Sequence, residues 1–280
     1  MTARPPIIVI GMHRSGTTMV TRALQQLGLF VGWRRDPNNE ALLFLQLNEW
    51  LLRQAGATWD NPMPVRGLLK DVARRRQAVE ALRGVLNSWP TLGYLGPIKS
   101  IQYRTPMALT GPWGWKDPRN TLTYPLWLDL YPDAKILNVT RHGVDVANSL
   151  LARESQSPGI GNLVRMSLLG VYGRPEIGPS RRCGTIDDAF TIWEEYLSIT
   201  KENRTACAGA FHQIKYEHFL ANPQPHLAKL VEFCELRISE AEIRNVCAGL
   251  KPERAFAYRD NCELADFSDS VSKRLSRFDY

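Results

Sequence analysis

The chain has 280 residues, 44% of them hydrophobic and 22% charged, which is enough to bury the core of one large globular domain or two small ones. Its net charge of +7 favours an anionic ligand, but the basic residues are spread out, and no zinc-finger, RNA-recognition or basic-zipper signature supports nucleic acid. No window approaches a membrane-spanning apolar run, and the first apolar run begins too near Met1 for a signal peptide. We therefore expect a soluble, cytoplasmic protein without a membrane span.

The first predicted strand is the apolar run 7–10, and the stretch GMHRSGTT that follows it is typical of a loop that binds phosphate. Gly11 and Gly16 have the spacing of the G-x-x-x-x-G-K-[ST] loop, but Thr17 stands at the position of its lysine. Backbone N–H groups at the start of the next helix favour an anion, because they lie at its positive end. The residues of this predicted anion site are Arg14, Ser15, Gly16, Thr17 and Thr18.

Three further apolar runs are predicted as strands: one ends at Trp115, and the others span 135–139 and 210–214. Helical patterns alternate with the strands along the chain. This alternation predicts a three-layer α/β fold, in which a central, mostly parallel sheet has helices on both faces. Ligands bind at the carboxyl ends of the strands in such sheets, so the residues just after each run are candidate site residues. They are residues 11–18, 116–119, 141–145 and 216–217.

Two long segments between these elements, about 29–112 and 153–188, have weaker sheet character. The first contains a helical pattern at 39–55 and a basic helix from about 66 to 88, and the second is rich in glycine and proline. We interpret both as insertions into a single domain of residues 1–280, which cover an open sheet edge or the mouth of the site.

The loop HRSGTT, residues 13–18, is similar to the 5′-phosphosulfate-binding loop of sulfotransferases that use 3′-phosphoadenosine 5′-phosphosulfate (PAPS). A second motif of that family is a strand ending in arginine, then D-V-A, then a serine eight residues after the arginine. Residues 136–151, ILNVTRHGVDVANSLL, match it with Arg141 and Ser149. A guanidinium and a hydroxyl suit a terminal phosphate, which in this family is the 3′-phosphate of PAPS. The alternative is that Arg141 pairs with an acidic neighbour.

Two more segments resemble the same family. In GWKDPRN, residues 114–120, the resemblance implies that Lys116 contacts the phosphosulfate. The segment 214–236 resembles the family's Y-E-D-L segment and the helix behind it, in which Tyr216 would stack against or contact adenine. A simple Asp-Pro turn and a core tyrosine are the alternatives.

Sulfonate transfer needs charge stabilisation at the leaving oxygen and a base that removes the proton of the acceptor hydroxyl. We predict Lys116 and Arg14 for the first task. In related branches of the family a glutamate on the helix after the first βα unit is the base, and Glu40 stands at that place. The alternative bases are three histidines, His13, His142 and His218.

Two family features are missing. The C-terminal R-x-G-x-x-G stretch that holds the 3′-phosphate in cytosolic members is absent, and the tail offers only Lys273, Arg274 and Arg277. The lysine–serine–histidine segment of those members is also absent, so the chain resembles the bacterial, carbohydrate-type and tyrosylprotein-type branches. No metal is expected, because the five cysteines never form C-x-x-C and no Walker-B carboxylate accompanies a P-loop lysine.

The sequence therefore predicts a PAPS-dependent sulfotransferase that moves a sulfonate to a hydroxyl of a carbohydrate, lipid or other small metabolite and releases PAP. The two insertions would cover the acceptor site. The alternatives are a small-molecule kinase with a degenerate P-loop and a non-catalytic protein that binds PAPS or nucleic acid. Six aromatic residues are candidates for an acceptor pocket or for the core: Trp50, Trp59, Trp89, Tyr94, Trp113 and Trp193.

Overall fold

A computed structural model describes residues 2–155, 180–207 and 210–280, and it contains one sheet of four parallel strands in the order β2-β1-β3-β4. The strands are β1 (Ile7–Ile10), β2 (Gly114–Lys116), β3 (Lys135–Thr140) and β4 (Phe211–Lys215). Strand β1 is buried along its whole length, as expected for an apolar strand that is covered on both faces. The parallel sheet predicted from the four apolar runs is confirmed.

Helices lie on both faces of the sheet, which confirms the α/β fold. In the first half of the chain they are α1 (Thr17–Gln26), α2 (Leu42–Ala55), α3 (Val65–Lys70), α4 (Val72–Leu86), α5 (Thr91–Gln102) and α6 (Asn120–Leu130). In the second half they are α7 (Gly143–Ser155), α8 (Ile186–Asn203), α9 (Tyr216–Ala221), α10 (Pro223–Phe233), α11 (Glu240–Cys247), α12 (Cys262–Ser270) and α13 (Ser272–Leu275).

Successive side chains of β1 point to opposite faces of the sheet, so this one strand contributes to two cores. Ile8 and Ile10 pack with side chains of α2, α4, α5 and α6 in a cluster that includes Trp115. Ile7 and Val9 pack with α1, α9, α10 and α11 on the other face. A third cluster joins α7 to α8 and to the C-terminal helices, and it supports the loop that follows β3.

The segment 29–112 forms α2 to α5 and much of one core, where α2, α4 and α5 pack against the sheet. At its start Phe30 makes a parallel bridge with Trp113, which adds a short pairing before β2. The second predicted insertion, 153–188, lies mostly outside the described residues.

The basic helix predicted from about 66 to 88 is divided into α3 and α4 at Asp71. The Asp71 side chain accepts hydrogen bonds from the backbone N–H groups of Ala73 and Arg74, which is an N-cap that starts a new helix. The pattern predicted at 39–55 becomes helical only at Leu42.

Candidate active site

A cavity of about 680 Å³ lies at the carboxyl ends of the four strands, and the residues that follow each strand contribute to its wall. Nine of the predicted site residues line it: Arg14, Gly16, Thr17, Thr18, Glu40, Lys116, Arg141, Ser149 and Tyr216. Ser15 does not, because its hydroxyl donates to the Met12 carbonyl at 2.7 Å and its side chain is buried inside the loop. The sheet therefore brings together motifs that are widely separated in the chain.

The loop after β1 has a backbone that requires glycine at two positions. Gly11 and Gly16 have φ angles of 137° and 93°, in the left-handed region that side chains disfavour. A Cβ atom on Gly16 would also lie 2.2 Å from the Tyr216 ring. In the part of the chain that the structure describes, the N–H groups of Gly16, Thr17 and Thr18 donate to no protein acceptor. They are therefore available to an anion at the start of α1.

Direct hydrogen bonds connect the loop after β1 with the loop after β3. The Arg14 Nε donates to the Ser149 hydroxyl at 2.7 Å, and Arg141 Nη1 donates to the Arg14 carbonyl at 3.4 Å. The Arg141 guanidinium also lies 3.3 Å from the Asp145 carboxylate and 4.8 Å above the Tyr216 ring. Arg141 therefore pairs with an acidic neighbour and lines the cavity at the same time, so the two interpretations of this residue are compatible.

Positive charge dominates the wall of the cavity. Seven lysines and arginines line it: Arg14, Arg22, Lys116, Arg141, Arg153, Lys251 and Arg254. Among the described residues that line it, Glu40 is the only acid. Burial, followed by repulsion from three neighbouring guanidinium groups, lowers the pKa of Arg14 from its usual value. A bound anion would relieve this repulsion, so the charge pattern favours a polyanionic ligand.

The two residues predicted for the chemical step are in direct contact. Lys116 Nζ donates to Glu40 Oε1 at 2.8 Å and to the Asn38 carbonyl at 3.1 Å, and both charged side chains are buried. Burial and the nearby Asp117 carboxylate raise the pKa of Glu40 to about 7, against the opposing effects of Lys116 and Arg119. A carboxyl group with this pKa exchanges a proton readily near neutral pH, as a general base must. Glu40 itself lies in the loop before α2, not on the helix.

A buried polar network fixes the turn that follows Lys116. The Asn48 amide donates to Asp117 Oδ2 at 2.9 Å and to Asn120 Oδ1 at 2.7 Å. The side-chain oxygen Oδ1 of Asn48 accepts hydrogen bonds from the Thr123 hydroxyl and the Trp127 indole. Because every member has a partner in a dry environment, the network holds the Lys116 backbone rigidly. The sequence did not indicate that Asn48 has this role.

Of the three alternative bases, only His13 lines the cavity among the described residues. It is edge-on to Trp59 at 5.4 Å, and burial and positive neighbours hold its pKa well below the usual value. His142 is stacked on Tyr258 at 4.4 Å, and burial lowers its pKa to about 4. His218 is exposed on α9.

The segment after α11 also lines the cavity, which the sequence did not indicate. Lys251 and Arg254 contribute positive charge there, and the Arg254 carbonyl accepts a hydrogen bond from Arg141 Nη2 at 3.1 Å. Asp145 holds the continuation of this segment, because its Oδ1 accepts from the Tyr258 N–H at 2.9 Å. No family motif marks the segment, and the only signal is a pair of cations three residues apart.

The three cations of the C-terminal tail, by contrast, do not line the cavity. Lys273, Arg274 and Arg277 are absent from the residues that line it. Arg274 and Arg277 instead pair with Glu194 on α8. In the described ranges, no group of three or more His, Cys, Asp or Glu is arranged to hold a metal ion.

A model of the sulfotransferase family matches residues 5–240 of the chain. The chain belongs to the sulfotransferase family. It is therefore a PAPS-dependent sulfotransferase, and its co-substrate is PAPS. This membership decides against the kinase alternative, in agreement with Thr17 at the position of the P-loop lysine.

The sulfotransferase also resembles several solved structures. The sulfotransferase domain of the Synechococcus PCC 7002 olefin synthase has 15% identity and a TM-score of 0.48, over 97% of this chain and 95% of that one. A sulfotransferase from Alicyclobacillus acidocaldarius has 15% identity and a TM-score of 0.48, over 99% and 96%. Mouse sulfotransferase SULT7A1, complexed with PAP, has 14% identity and a TM-score of 0.40, over 92% and 67%. No curated protein matches the sequence, so the assignment depends on the family model.

Proposed function

We propose that this sulfotransferase moves the sulfonate of PAPS to a hydroxyl of a carbohydrate, lipid or other small metabolite and releases PAP. The observation that supports the proposal is one cavity lined by seven cations, one of which, Lys116, forms a buried pair with Glu40. The cations suit the phosphates and the sulfonate of the donor. The buried pair supplies a base and a cation where the reaction needs both.

On the donor side, the free N–H groups at the start of α1 and the Thr17 hydroxyl would hold the 5′-phosphosulfate, and the Thr18 hydroxyl would join them by leaving the Asn38 carbonyl, to which it donates at 3.1 Å. Arg141 and Ser149 would hold the 3′-phosphate, with Tyr216 against the adenine. Because Arg14 bonds to the Ser149 hydroxyl at 2.7 Å, it would lie between the two anionic groups. We further propose that Lys251 and Arg254 replace the missing C-terminal phosphate-binding stretch.

In the chemical step, Glu40 would remove the proton from the acceptor hydroxyl while the acceptor oxygen attacks sulfur. The bond between sulfur and the bridging oxygen breaks, and Lys116 and Arg14 would stabilise the negative charge that develops on the 5′-phosphate. The proton remains on Glu40 until it is lost to solvent. Because Lys116 contacts Glu40 at 2.8 Å, movement of its ammonium group to the phosphosulfate would free the carboxylate when the donor binds.

We also propose that the chain is one domain in which the segments 29–112 and 153–188 cover the acceptor site. Asn38 and Glu40 of the first segment, and Arg153 at the start of the second, line the cavity. The carbohydrate-type or tyrosylprotein-type branch and a cytoplasmic location stay predictions of the sequence. In the structure, no helix of the described residues is long and apolar enough to cross a membrane.

Thermal unfolding with PAP, with 5′-AMP and with ATP plus Mg²⁺ tests the donor half of the proposal. PAP without metal should raise the Tm most, because a ligand that binds only the native state stabilises it by RT ln(1 + [L]/Kd). A larger shift with ATP and Mg²⁺, and none with PAP, would contradict the proposed donor site.

Release of PAP from PAPS, measured with panels of sugars, phenols and hydroxylated lipids, tests the acceptor half. If PAP is released only with amine or thiol acceptors and not with hydroxyl acceptors, the acceptor half of the proposal is contradicted.

A further inference from the structure

A group of large apolar side chains is exposed on and around α5. In the described part of the chain, five of the six exposed large hydrophobic residues belong to this group, and the sixth is Val72 on α4. Trp89 is 81% exposed and Ile101 is 90% exposed. We call the group the α5 patch, and its residues are Trp33, Trp89, Leu92, Ile98 and Ile101.

The patch surrounds a groove of about 540 Å³ that both tryptophans and Leu92 line. Helix α5 is interrupted at Gly96, where φ is 72°, and a Cβ atom there would lie 2.6 Å from the Trp33 ring. The interruption therefore lets Trp33 lie against the helix. Beyond it, Ile98 and Ile101 are three residues apart and share one helix face. Trp33, Trp89 and Leu92 therefore border one concave apolar surface, and the two isoleucines are exposed on the half of α5 that follows the interruption.

The chain segment that carries four of the five patch residues is basic. No aspartate or glutamate occurs from residue 81 to residue 116, whereas Lys99 and Arg104 do. Arg83 lies there too, but it pairs with Glu80 at 3.8 Å. Arg34 lines the groove itself. Arg34 and Arg104 are exposed and form no ion pair among the described residues.

Exposed tryptophan and isoleucine with a basic rim are the features that bind a protein to an anionic bilayer: the apolar groups enter the headgroup region and the cations attract the lipids. A second copy of this chain is a poorer occupant. A two-fold interface would bring the patches and their basic rims together, and like charges would repel each other.

The groove and the catalytic cavity lie on either side of the chain segment 33–42. Trp33, Arg34 and Leu42 line the groove, whereas Asn38 and Glu40 line the cavity. A lipid surface in contact with the groove would therefore lie beside the segment that carries Glu40.

We propose that the α5 patch docks this protein on an anionic lipid surface, with its tryptophans and isoleucines at the level of the headgroups. The proposal does not depend on the transfer reaction, because no residue of the patch lines the catalytic cavity. Docking on the patch requires no membrane-spanning helix.

Sedimentation with vesicles of phosphatidylcholine alone, and with phosphatidylglycerol added, tests the proposal. The full chain should bind the anionic vesicles and bind them more weakly as salt rises, with little binding to phosphatidylcholine alone. Ile101→Asp should weaken binding by more than about tenfold, because it replaces an inserted side chain with a charge of the wrong sign. Arg104→Gln should weaken it by about fivefold. The matched control is Val72→Asp, which places the same charge at an exposed apolar position outside the patch and should leave binding unchanged.

The location of the contact is tested with brominated lipids, which quench tryptophans that enter the bilayer. Quenching should decrease strongly in Trp89→Phe, because Trp89 is the most exposed tryptophan among those of the patch. Circular dichroism and the PAP-induced Tm shift should be unchanged in each variant, which shows that the fold is intact. No binding to anionic vesicles, or equal losses in Ile101→Asp and Val72→Asp, would overturn the proposal. A dimer in the absence of lipid that Ile101→Asp abolishes would overturn it too, because the patch would then bind a second copy.

Discussion

The two sides of the catalytic cavity differ in how their charges are satisfied. On the donor side, which we define by Arg14, Arg141 and Arg254, the guanidinium groups of Arg14 and Arg141 donate to a hydroxyl and to backbone carbonyls, and Arg141 also lies 3.3 Å from the Asp145 carboxylate. On the reaction side, defined by Glu40, Lys116, Arg119, Asp117 and Asn48, Lys116 lies 2.8 Å from one carboxylate and Arg119 lies within 3.4 Å of three.

This difference indicates which half of the site a ligand completes. Burial, followed by repulsion from neighbouring guanidinium groups, lowers the pKa of Arg14, so the donor side gains most from a polyanion. The charges of the reaction side are already paired within the protein, so the donor has only to draw the Lys116 ammonium group away from Glu40. Substitutions on the reaction side should therefore lower turnover, whereas those on the donor side should lower donor affinity.

The largest effect is expected for Lys116→Ala. Loss of a cation that acts on the leaving oxygen should lower kcat by a factor on the order of a hundred or more, while PAP affinity falls less. The matched control is Lys135→Ala, because Lys135 begins β3, at the amino end of the strand and away from the cavity, and pairs with Glu235. Steady-state kinetics and calorimetric titration with PAP measure both quantities. If PAP affinity falls as much as kcat does, Lys116 belongs functionally to the donor side.

An effect of similar size is expected for Glu40→Gln, which keeps the shape of the side chain but removes the base. PAP affinity should be retained. Glu49→Gln is a close control, because Glu49 also contacts Arg119, at 3.3 Å, but does not line the cavity. The measurement is kcat for PAP release with a saturating acceptor. A Glu40→Gln enzyme with normal turnover would remove Glu40 from the mechanism and leave His13 as the base within the cavity.

The pH dependence of the wild-type enzyme sharpens this point. Burial raises the pKa of Glu40 to about 7, so the free enzyme carries the protonated acid below that pH and cannot use it as a base. The value of kcat/KM for PAPS should therefore decrease about tenfold per pH unit below 7 and level off above it. The acidic limb should vanish in Glu40→Gln. A limb that persists in the variant would assign the titration to another group.

Much of this arrangement could be predicted, because its determinants are local in the sequence. Each strand is a short apolar run, and the loops after β1 and β3 contain complete motifs, so the sequence could predict the positions of Arg14, Arg141 and Ser149, which line the cavity. The position of Lys116 followed from the end of a short strand.

Other features depend on distant contacts that no local pattern records. The Asn48 side chain donates a hydrogen bond to Asn120, which is 72 residues away in the sequence. The polar network that fixes the turn after Lys116 therefore forms only in the folded chain. Arg254 lines the cavity because hydrogen bonds from Arg141 and to Asp145 hold its segment in place. The sequence instead indicated the cations of the tail as candidates for an additional phosphate contact. The hydroxyl of Ser15 was expected to face the ligand, but the loop uses it internally.

A moderate effect on donor affinity is expected for Arg141→Ala and Ser149→Ala. Each hydrogen bond to a charged group contributes about 1.5–3 kcal/mol, so Arg141→Ala should weaken PAP binding by roughly ten- to a hundredfold or more. Ser149→Ala should weaken it somewhat less. Affinity for 5′-AMP, which lacks the 3′-phosphate, should hardly change. The double mutant should depart from additivity, since both side chains would share one phosphate. Equal losses for PAP and 5′-AMP would mean that the substitutions damage the loop, and the 3′-phosphate assignment would fail.

The smallest effect is expected for Arg254→Ala. Its side chain is exposed, so solvent screens the charge, and its carbonyl still accepts from Arg141 after the substitution. We expect PAP affinity to fall by about fivefold, which corresponds to about 1 kcal/mol, and the loss to shrink as salt rises. Arg259→Ala is the matched control, because Arg259 carries the same charge in the same segment, lies over the Phe256 ring at 4.2 Å and does not line the cavity. Calorimetric titrations with PAP and 5′-AMP at two salt concentrations compare the two variants. A loss confined to Arg254→Ala and to PAP would add this segment to the 3′-phosphate site, whereas equal losses in both variants would reduce its role to general attraction of anions.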